Sequence, residues 1–212
     1  IIKSDRRFTY EEAQKVIETG EGDYKEEILE LNKLAQILRK QRLAAGAIDF
    51  DRVEVKFEID ETGKPLSVYF KESKEANKWI EEFMLLANRK VSEFVSLKKG
   101  GSPSDLTFIY RIHDDPDPTK LEALRDFVGT FGYKMDLANP KKVAQSLNQL
   151  LSDVKGKGEE NMIETLAMRS MSKAIYSTAP IGHYGLGFAY YSHFTSPIRR
   201  YPDLIAHRLL QH

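Results

Sequence analysis

The sequence predicts an α+β chain, mostly helical with a few antiparallel strands. Three observations carry that prediction. Long stretches place apolar residues at helical spacing between capping signals. Two short stretches alternate apolar and charged residues on either side of a glycine turn. No internal repeat, heptad array or low-complexity tract interrupts this pattern. At 212 residues the chain is long enough to bury a sizeable core, as one large or two small domains.

Each element follows from local chemistry. Thr9-Tyr10-Glu11-Glu12 is a capping box and Gly20 a stop, predicting a helix over 9–19. A long amphipathic helix over 24–45 carries Ile28, Leu31, Ala35 and Leu38 at helical spacing, and Gly46 ends it. Over 53–59, Val53, Val55, Phe57 and Ile59 alternate with Glu54, Lys56 and Glu58, as in a half-buried strand. The turn Asp60-Glu61-Thr62-Gly63-Lys64-Pro65 returns the chain into a strand over 66–71. A second long helix runs over 73–97, with Trp79, Phe83 and Leu86 on one stripe and Ile80, Ala87 and Val91 beside it. A glycine-rich loop over 98–105 leads to a strand over 106–113 and a turn at 114–118. Thr119 and Glu122 make a second capping box for a helix to residue 131, and Asn139-Pro140 caps another to residue 152. A flexible linker over 153–160 and a helix over 162–174 follow. The aromatic, glycine-containing stretch 176–191 reads as strand or loop, and a last helix starts at Pro197.

Composition narrows function only a little. The chain has 32 basic and 32 acidic residues, so any affinity for nucleic acid must come from a local basic surface. It has no cysteine, which excludes disulfides and thiolate metal sites and fits a reducing, cytoplasmic setting. No apolar run approaches the ~20 residues that span a membrane, and no signal peptide is visible.

The last twenty residues carry the strongest signal. In His193-Phe194-Thr195-Ser196-Pro197-Ile198-Arg199-Arg200-Tyr201-Pro202-Asp203, Ser196 and Pro197 read as a helix start, with two arginines in the first turn. Backbone N–H groups at such a start favour anions, and a guanidinium adds a forked donor that fits a phosphate. The same residues also fit a solvated basic helix start, or an Arg199–Asp203 salt bridge at i+4.

This run closely resembles the signature of the ribonuclease II / ribonuclease R family, the processive 3′→5′ exoribonucleases with an RNB catalytic domain. Four upstream stretches resemble the family's landmarks in its order: Phe8-Thr9-Tyr10-Glu11-Glu12-Ala13-Gln14, Ala45-Gly46-Ala47-Ile48-Asp49-Phe50, Ile80-Glu81-Glu82-Phe83-Met84 and Ile181-Gly182-His183-Tyr184-Gly185-Leu186-Gly187. The flavour is that of ribonuclease R. The resemblance implies a mixed sheet wrapped by helices, of which this chain supplies an incomplete RNB catalytic domain. It also implies that residues 1–212 are the C-terminal part of that domain. An aspartate cluster that holds magnesium, the other half of a base clamp and the flanking RNA-binding barrels would then lie elsewhere in the parent. The absence of an initial Met and the stop inside an expected helix point the same way.

The resemblance also assigns roles. Arg199 matches the catalytic arginine that holds the scissile phosphate and stabilises charge in the transition state. Arg200 would contact a neighbouring phosphate; Arg208, eight residues on and on the same helix face, would do the same or bind a core carboxylate. Thr195 and Ser196 donate to phosphate oxygens or cap the helix. Phe50 matches an aromatic that stacks on the 3′-terminal base, and would otherwise be ordinary core. Tyr10 and Glu81 match positions that contact ribose and select RNA over DNA; otherwise they are a first-turn tyrosine and a solvated glutamate. His183 lines the RNA channel or packs. The spacing of His183, His193 and His207 supports no metal site, and Asp114-Asp115-Pro116-Asp117 reads as an exposed loop.

The expected function is therefore part of an exoribonuclease that hydrolyses single-stranded RNA to nucleoside 5′-monophosphates with Mg²⁺. The fragment alone would be inactive and prone to self-association through opened sheet edges. The alternative is a non-catalytic RNA-binding or protein-interaction module with a phosphate site at a helix N-terminus.

Overall fold

The structure, a computed structural model, describes residues 2–50, 54–71 and 73–211. In chain order these form α1 (Tyr10–Thr19), α2 (Lys25–Ala44), β1 (Glu54–Ile59), β2 (Pro65–Lys71), α3 (Glu75–Ser96), β3 (Tyr110–Ile112), α4 (Pro118–Gly129), α5 (Pro140–Val154), α6 (Glu160–Ser170), β4 (Ile175–Ser177) and α7 (Tyr201–Leu210). The strands make two antiparallel pairs, β1 with β2 and β3 with β4. The mostly helical α+β expectation holds. Backbone contacts divide the chain into two compact units, one from 1–39 and 51–83, the other from 40–50 and 84–212. No helix among the described residues is long and apolar enough to cross a membrane.

In the first unit the capping box is complete. The Thr9 hydroxyl accepts from the Glu12 N–H at 3.1 Å, and the Glu12 carboxylate accepts from the Thr9 N–H at 2.7 Å. That backbone bond is the main reason the Glu12 carboxyl sits below the ordinary range. Gln14, buried in α1, accepts from the Ala76 N–H at 3.0 Å and ties α1 to the start of α3. In the hairpin turn the Asp60 carboxylate accepts from the Thr62 and Lys64 N–H groups at 2.8 and 3.0 Å. Cross-strand pairs Val55–Phe70 and Phe57–Val68 give the hairpin one apolar face. The expected half-burial is not met: Phe57 is 59% and Phe70 70% exposed, because a two-stranded ribbon has no second layer of its own. Val53, the first residue of the predicted strand, lies outside the described residues.

The second unit holds two cores. Val128, Leu147, Val154, Ile163 and Ala167 pack α4, α5 and α6 together with Ile48. Val95, Phe108, Tyr110, Ile112 and Ala206 join α3, β3 and α7. Here α3 buries a polar face, with Asn88, Ser92 and Ser96 inside, while Leu86 and Val91 of the expected stripe are only half-buried.

Three local expectations are corrected. Helix α4 is capped by Asp117, which accepts from the Thr119 and Lys120 N–H groups, because Pro118 fits the first helical position better than Thr119 fits the cap. The linker over 153–160 is a tight turn: α5 runs on to the buried Val154, and the Gly156 N–H donates to the Glu160 carboxylate at 2.7 Å. The strand over 106–113 shortens to β3, although Phe108 remains buried.

Candidate functional site

The last helix does not start where the sequence suggested. Residues 197–199 form a turn, in which the Ser196 carbonyl accepts from the Arg199 and Arg200 N–H groups at 3.2 Å each, and α7 begins at Tyr201. Two prolines compete for the start. Pro202 has no N–H for the Ile198 carbonyl, so a helix from Pro197 would break there, whereas at the second position of a helix the missing donor costs nothing. Ser196 is therefore not the side-chain cap. Its backbone N–H donates to Oδ1 of Asp203 at 2.8 Å.

Asp203 is the anchor of this segment. It is fully buried, and the same Oδ1 accepts from Nη2 of Arg200 at 2.8 Å. Arg200 is thus committed to a core ion pair and lies ahead of the helix, so it shares no helix face with the exposed Arg208. Upstream, Oδ1 of the buried Asn88 accepts from the N–H groups of Phe194 and Thr195 at 2.9 and 3.2 Å, and its Nδ2 donates to the Tyr191 hydroxyl at 3.1 Å. From α7, His207 donates Nε2–H to the Phe194 carbonyl at 3.1 Å and stacks on the Phe194 ring at 4.1 Å. The segment 194–200 is pinned at both ends by buried groups. What it presents between the pins is Arg199, exposed and without a hydrogen bond or ion pair to any described residue, flanked by the part-exposed Thr195 and Ser196.

A wall of histidines and tyrosines stands beside this loop. The Gly185 N–H donates to Nδ1 of His113 at 2.9 Å, which leaves Nε2–H of His113 to donate to the Ser172 carbonyl at 2.8 Å. A Cβ on Gly185 would meet that Nδ1 at 2.9 Å, so the close approach needs glycine. His183 packs between His113 and Tyr191, with ring centroids at 5.0 and 5.3 Å, and its Nδ1 is buried without a partner among the described residues. Burial, then the neighbouring His113, pushes the His183 pKa down to about 3. Nδ1 of His193 and the Tyr176 hydroxyl share a hydrogen bond (2.7 Å), and burial followed by the Arg200 charge pushes the His193 pKa down to about 4. A cavity of about 380 Å³ opens next to His113 and His183, lined also by Asp114, Lys141, Tyr184 and Phe188.

Both histidines are neutral in the folded chain and titrate near 6.5 when unfolded. The unfolded state therefore binds more protons between those values, and stability falls as pH drops through 6.5 toward 4. Lowering pH from 7 to 5.5 is expected to remove about 1 kcal/mol through His183, read as a lower urea midpoint. A midpoint independent of pH over that range, in the wild type and in His183→Phe alike, would contradict it.

The remaining candidates divide between the units. Phe50 belongs to the second unit, part-buried against the α4–α6 core. Its segment is strapped down by Asn148, which accepts from the Asp49 N–H at 2.9 Å and donates to the Ala47 carbonyl at 2.8 Å, while the Ile48 N–H donates to the Gly185 carbonyl at 3.0 Å. Tyr10 and Glu81 belong to the first unit and are exposed on α1 and α3, Tyr10 beside a cavity of about 410 Å³ with Tyr69, Phe70 and Lys74. Asp114 and Asp115 are exposed, and Asp117 is the α4 cap. Among the described residues no group of three or more His, Asp or Glu side chains is placed to hold a metal ion. Sequence reasoning missed Asn88, a lone mid-helix amide with no local signal, and the alternative Arg199–Asp203 salt bridge does not form, since Asp203 pairs with Arg200.

The model of the RNB domain family matches residues 1–212. Ribonuclease R of Aquifex aeolicus is 37% identical over 217 residues, and that of Thermotoga maritima 38%, each covering 100% of this chain and 30% of the relative. The chain thus spans about a third of the length of the curated relatives it matches. Among solved structures, Mycoplasma genitalium RNase R in complex with ribose-methylated single-stranded RNA superposes with a TM-score of 0.84 at 29% identity, covering 96% of this chain and 32% of that one. With the RNB domain model matched over all of residues 1–212, this chain belongs to the RNB domain family.

Proposed function

We propose that this chain is part of a processive 3′→5′ exoribonuclease of ribonuclease R kind, which degrades single-stranded RNA to nucleoside 5′-monophosphates. The observation that carries the reading is Arg199: an exposed guanidinium with no carboxylate partner among the described residues, on a loop held by the buried Asp203 and Asn88. A cation left unpaired on a rigid support is pre-organised for an anion, and a planar fork suits two oxygens of one phosphate. Phe50, on its strapped segment, is the candidate for stacking on the 3′-terminal base. Tyr10 and Glu81 are the candidates for reading the ribose 2′-hydroxyl. Arg208, Thr195 and Ser196 are further candidates for phosphate contact, and His183 supports the channel wall by packing. Magnesium would activate the attacking water, with its ligands in the part of the relatives' length that this chain does not span. The lack of cysteine fits a cytoplasmic setting for the parent.

Digestion of 5′-labelled single-stranded RNA with Mg²⁺ tests the reading. This chain is compared with one extended to the relatives' full length. Activity in the extended chain alone is the expected result. Activity in the short chain would place a metal site within these 212 residues, and activity in neither would favour the binding-module alternative.

A further inference from the structure

We propose that Arg111, stacked on Tyr176 beside His193, is a second contact for the phosphate backbone of single-stranded RNA. The inference rests on the reading of Arg199 as a phosphate-holding residue and extends its site by one contact. Arg111 and Tyr176 face each other across the β3–β4 pair, and the Arg111 guanidinium carbon lies 4.9 Å from the centroid of the Tyr176 ring. A guanidinium held over an aromatic face by cation–π attraction still has N–H donors for an anion. Its side chain is part-exposed and makes no ion pair or hydrogen bond to a described residue. The Tyr176 hydroxyl is fixed at 2.7 Å to Nδ1 of His193, a residue that starts the loop carrying Arg199.

Positive charge gathers around the His193 ring. Arg111, Arg199 and Arg200 all act on the His193 ring with the same sign, and of these only Arg200 has a carboxylate partner among the described residues, Asp203. Elsewhere in this unit Arg89 pairs with Glu93 and Arg125 with Asp126, while the exposed Arg169 and Arg208 make no ion pair with a described residue. Two uncompensated guanidiniums converge on one histidine in a chain whose net charge is zero. A nucleic-acid strand, with a negative charge on each phosphate, is a ligand that two fixed positive charges acting on one ring can accommodate. A contact to phosphate oxygens carries no sequence information, so it is indifferent to sequence.

Fluorescence anisotropy with a short labelled single-stranded RNA, titrated over a range of salt, decides the matter using this 212-residue chain. Arg111→Gln is expected to weaken binding about tenfold and to reduce the salt slope by about 0.7, equally for sequences of different base composition. Arg111→Lys is expected to keep the slope and recover part of the affinity, since the charge survives and the stacked fork does not. An affinity and slope unchanged in Arg111→Gln, in a chain where Arg199→Ala weakens binding, overturns this proposal and leaves the Arg199 reading standing. A loss in Arg111→Gln with none in Arg199→Ala supports the Arg111 contact and overturns the Arg199 reading. No binding by the wild-type chain overturns both. Should Arg111→Gln fail to fold by thermal melting, Arg111→Lys carries the test, and wild-type affinity in it overturns the stacked geometry.

Discussion

Asp203→Ala is expected to destabilise this chain by about 3 kcal/mol and to free the loop that presents Arg199. The carboxylate is fully buried and receives two donors on one oxygen, the Ser196 N–H and Nη2 of Arg200. Its removal strands both. The guanidinium suffers more, because Nε of Arg200 is already buried without a partner among the described residues, so the whole charge is left uncompensated. Desolvating two ions is expensive, so the intact pair is a weak source of net stability; the penalty appears when one member is lost. Two comparisons separate these terms. Asp203→Asn keeps an acceptor for Ser196 but loses the charge, and is expected to cost less than Asp203→Ala. The double change Arg200→Met with Asp203→Leu removes both ions and is expected to cost less again. Urea unfolding gives the numbers, and a loss below about 1 kcal/mol in Asp203→Ala would show that solvent reaches Arg200 and that Asp203 is not the anchor.

The contrast between Asp203 and the rest of the chain shows where sequence is legible. The Thr9 box, the Asn139-Pro140 cap and the Asp60 turn were readable because each is closed by residues within four positions of one another. The start of α7 was not: Pro197 and Pro202 both look like first-turn prolines, the missing N–H of Pro202 bars a helix from Pro197, and the contact that fixes the turn ahead of it, Ser196 to the Asp203 carboxylate, spans seven positions, beyond any cap or turn pattern. Asn88 was invisible for the same reason: its amide binds Phe194, 106 positions away, and nothing near it in sequence announces the contact. Arg199 was found through resemblance of the motif around it, and its setting corrects the physical reason. It is presented by a pinned turn ahead of the helix, so the helix N-terminus adds less to its site than the sequence implied. The hairpin shows the opposite failure, where alternation correctly predicted β1 and β2 but says nothing of what lies against the apolar face.

Arg199→Ala, in a protein carrying this segment at the full length of its ribonuclease R relatives, is expected to lower kcat about 10²- to 10³-fold. A guanidinium that merely gathers RNA would act equally on bound substrate and transition state, and its loss would raise KM alone. Phosphodiester hydrolysis builds negative charge on the non-bridging oxygens, and a fork fixed in advance gains most when that charge appears. Pinning by Asp203, Asn88 and His207 supplies the fixing, so the rate loss should exceed the loss of affinity. Arg199→Lys is expected to recover affinity better than rate, because an ammonium supplies charge without the two-point geometry. Since Arg199 is exposed and makes no hydrogen bond or ion pair with described residues, neither variant should shift the urea midpoint, which removes misfolding as an explanation. Single-turnover digestion at saturating RNA gives the rate. A kcat within about fivefold of wild type, with KM raised, would make Arg199 a binding residue and move the search for the transition-state cation to Arg111.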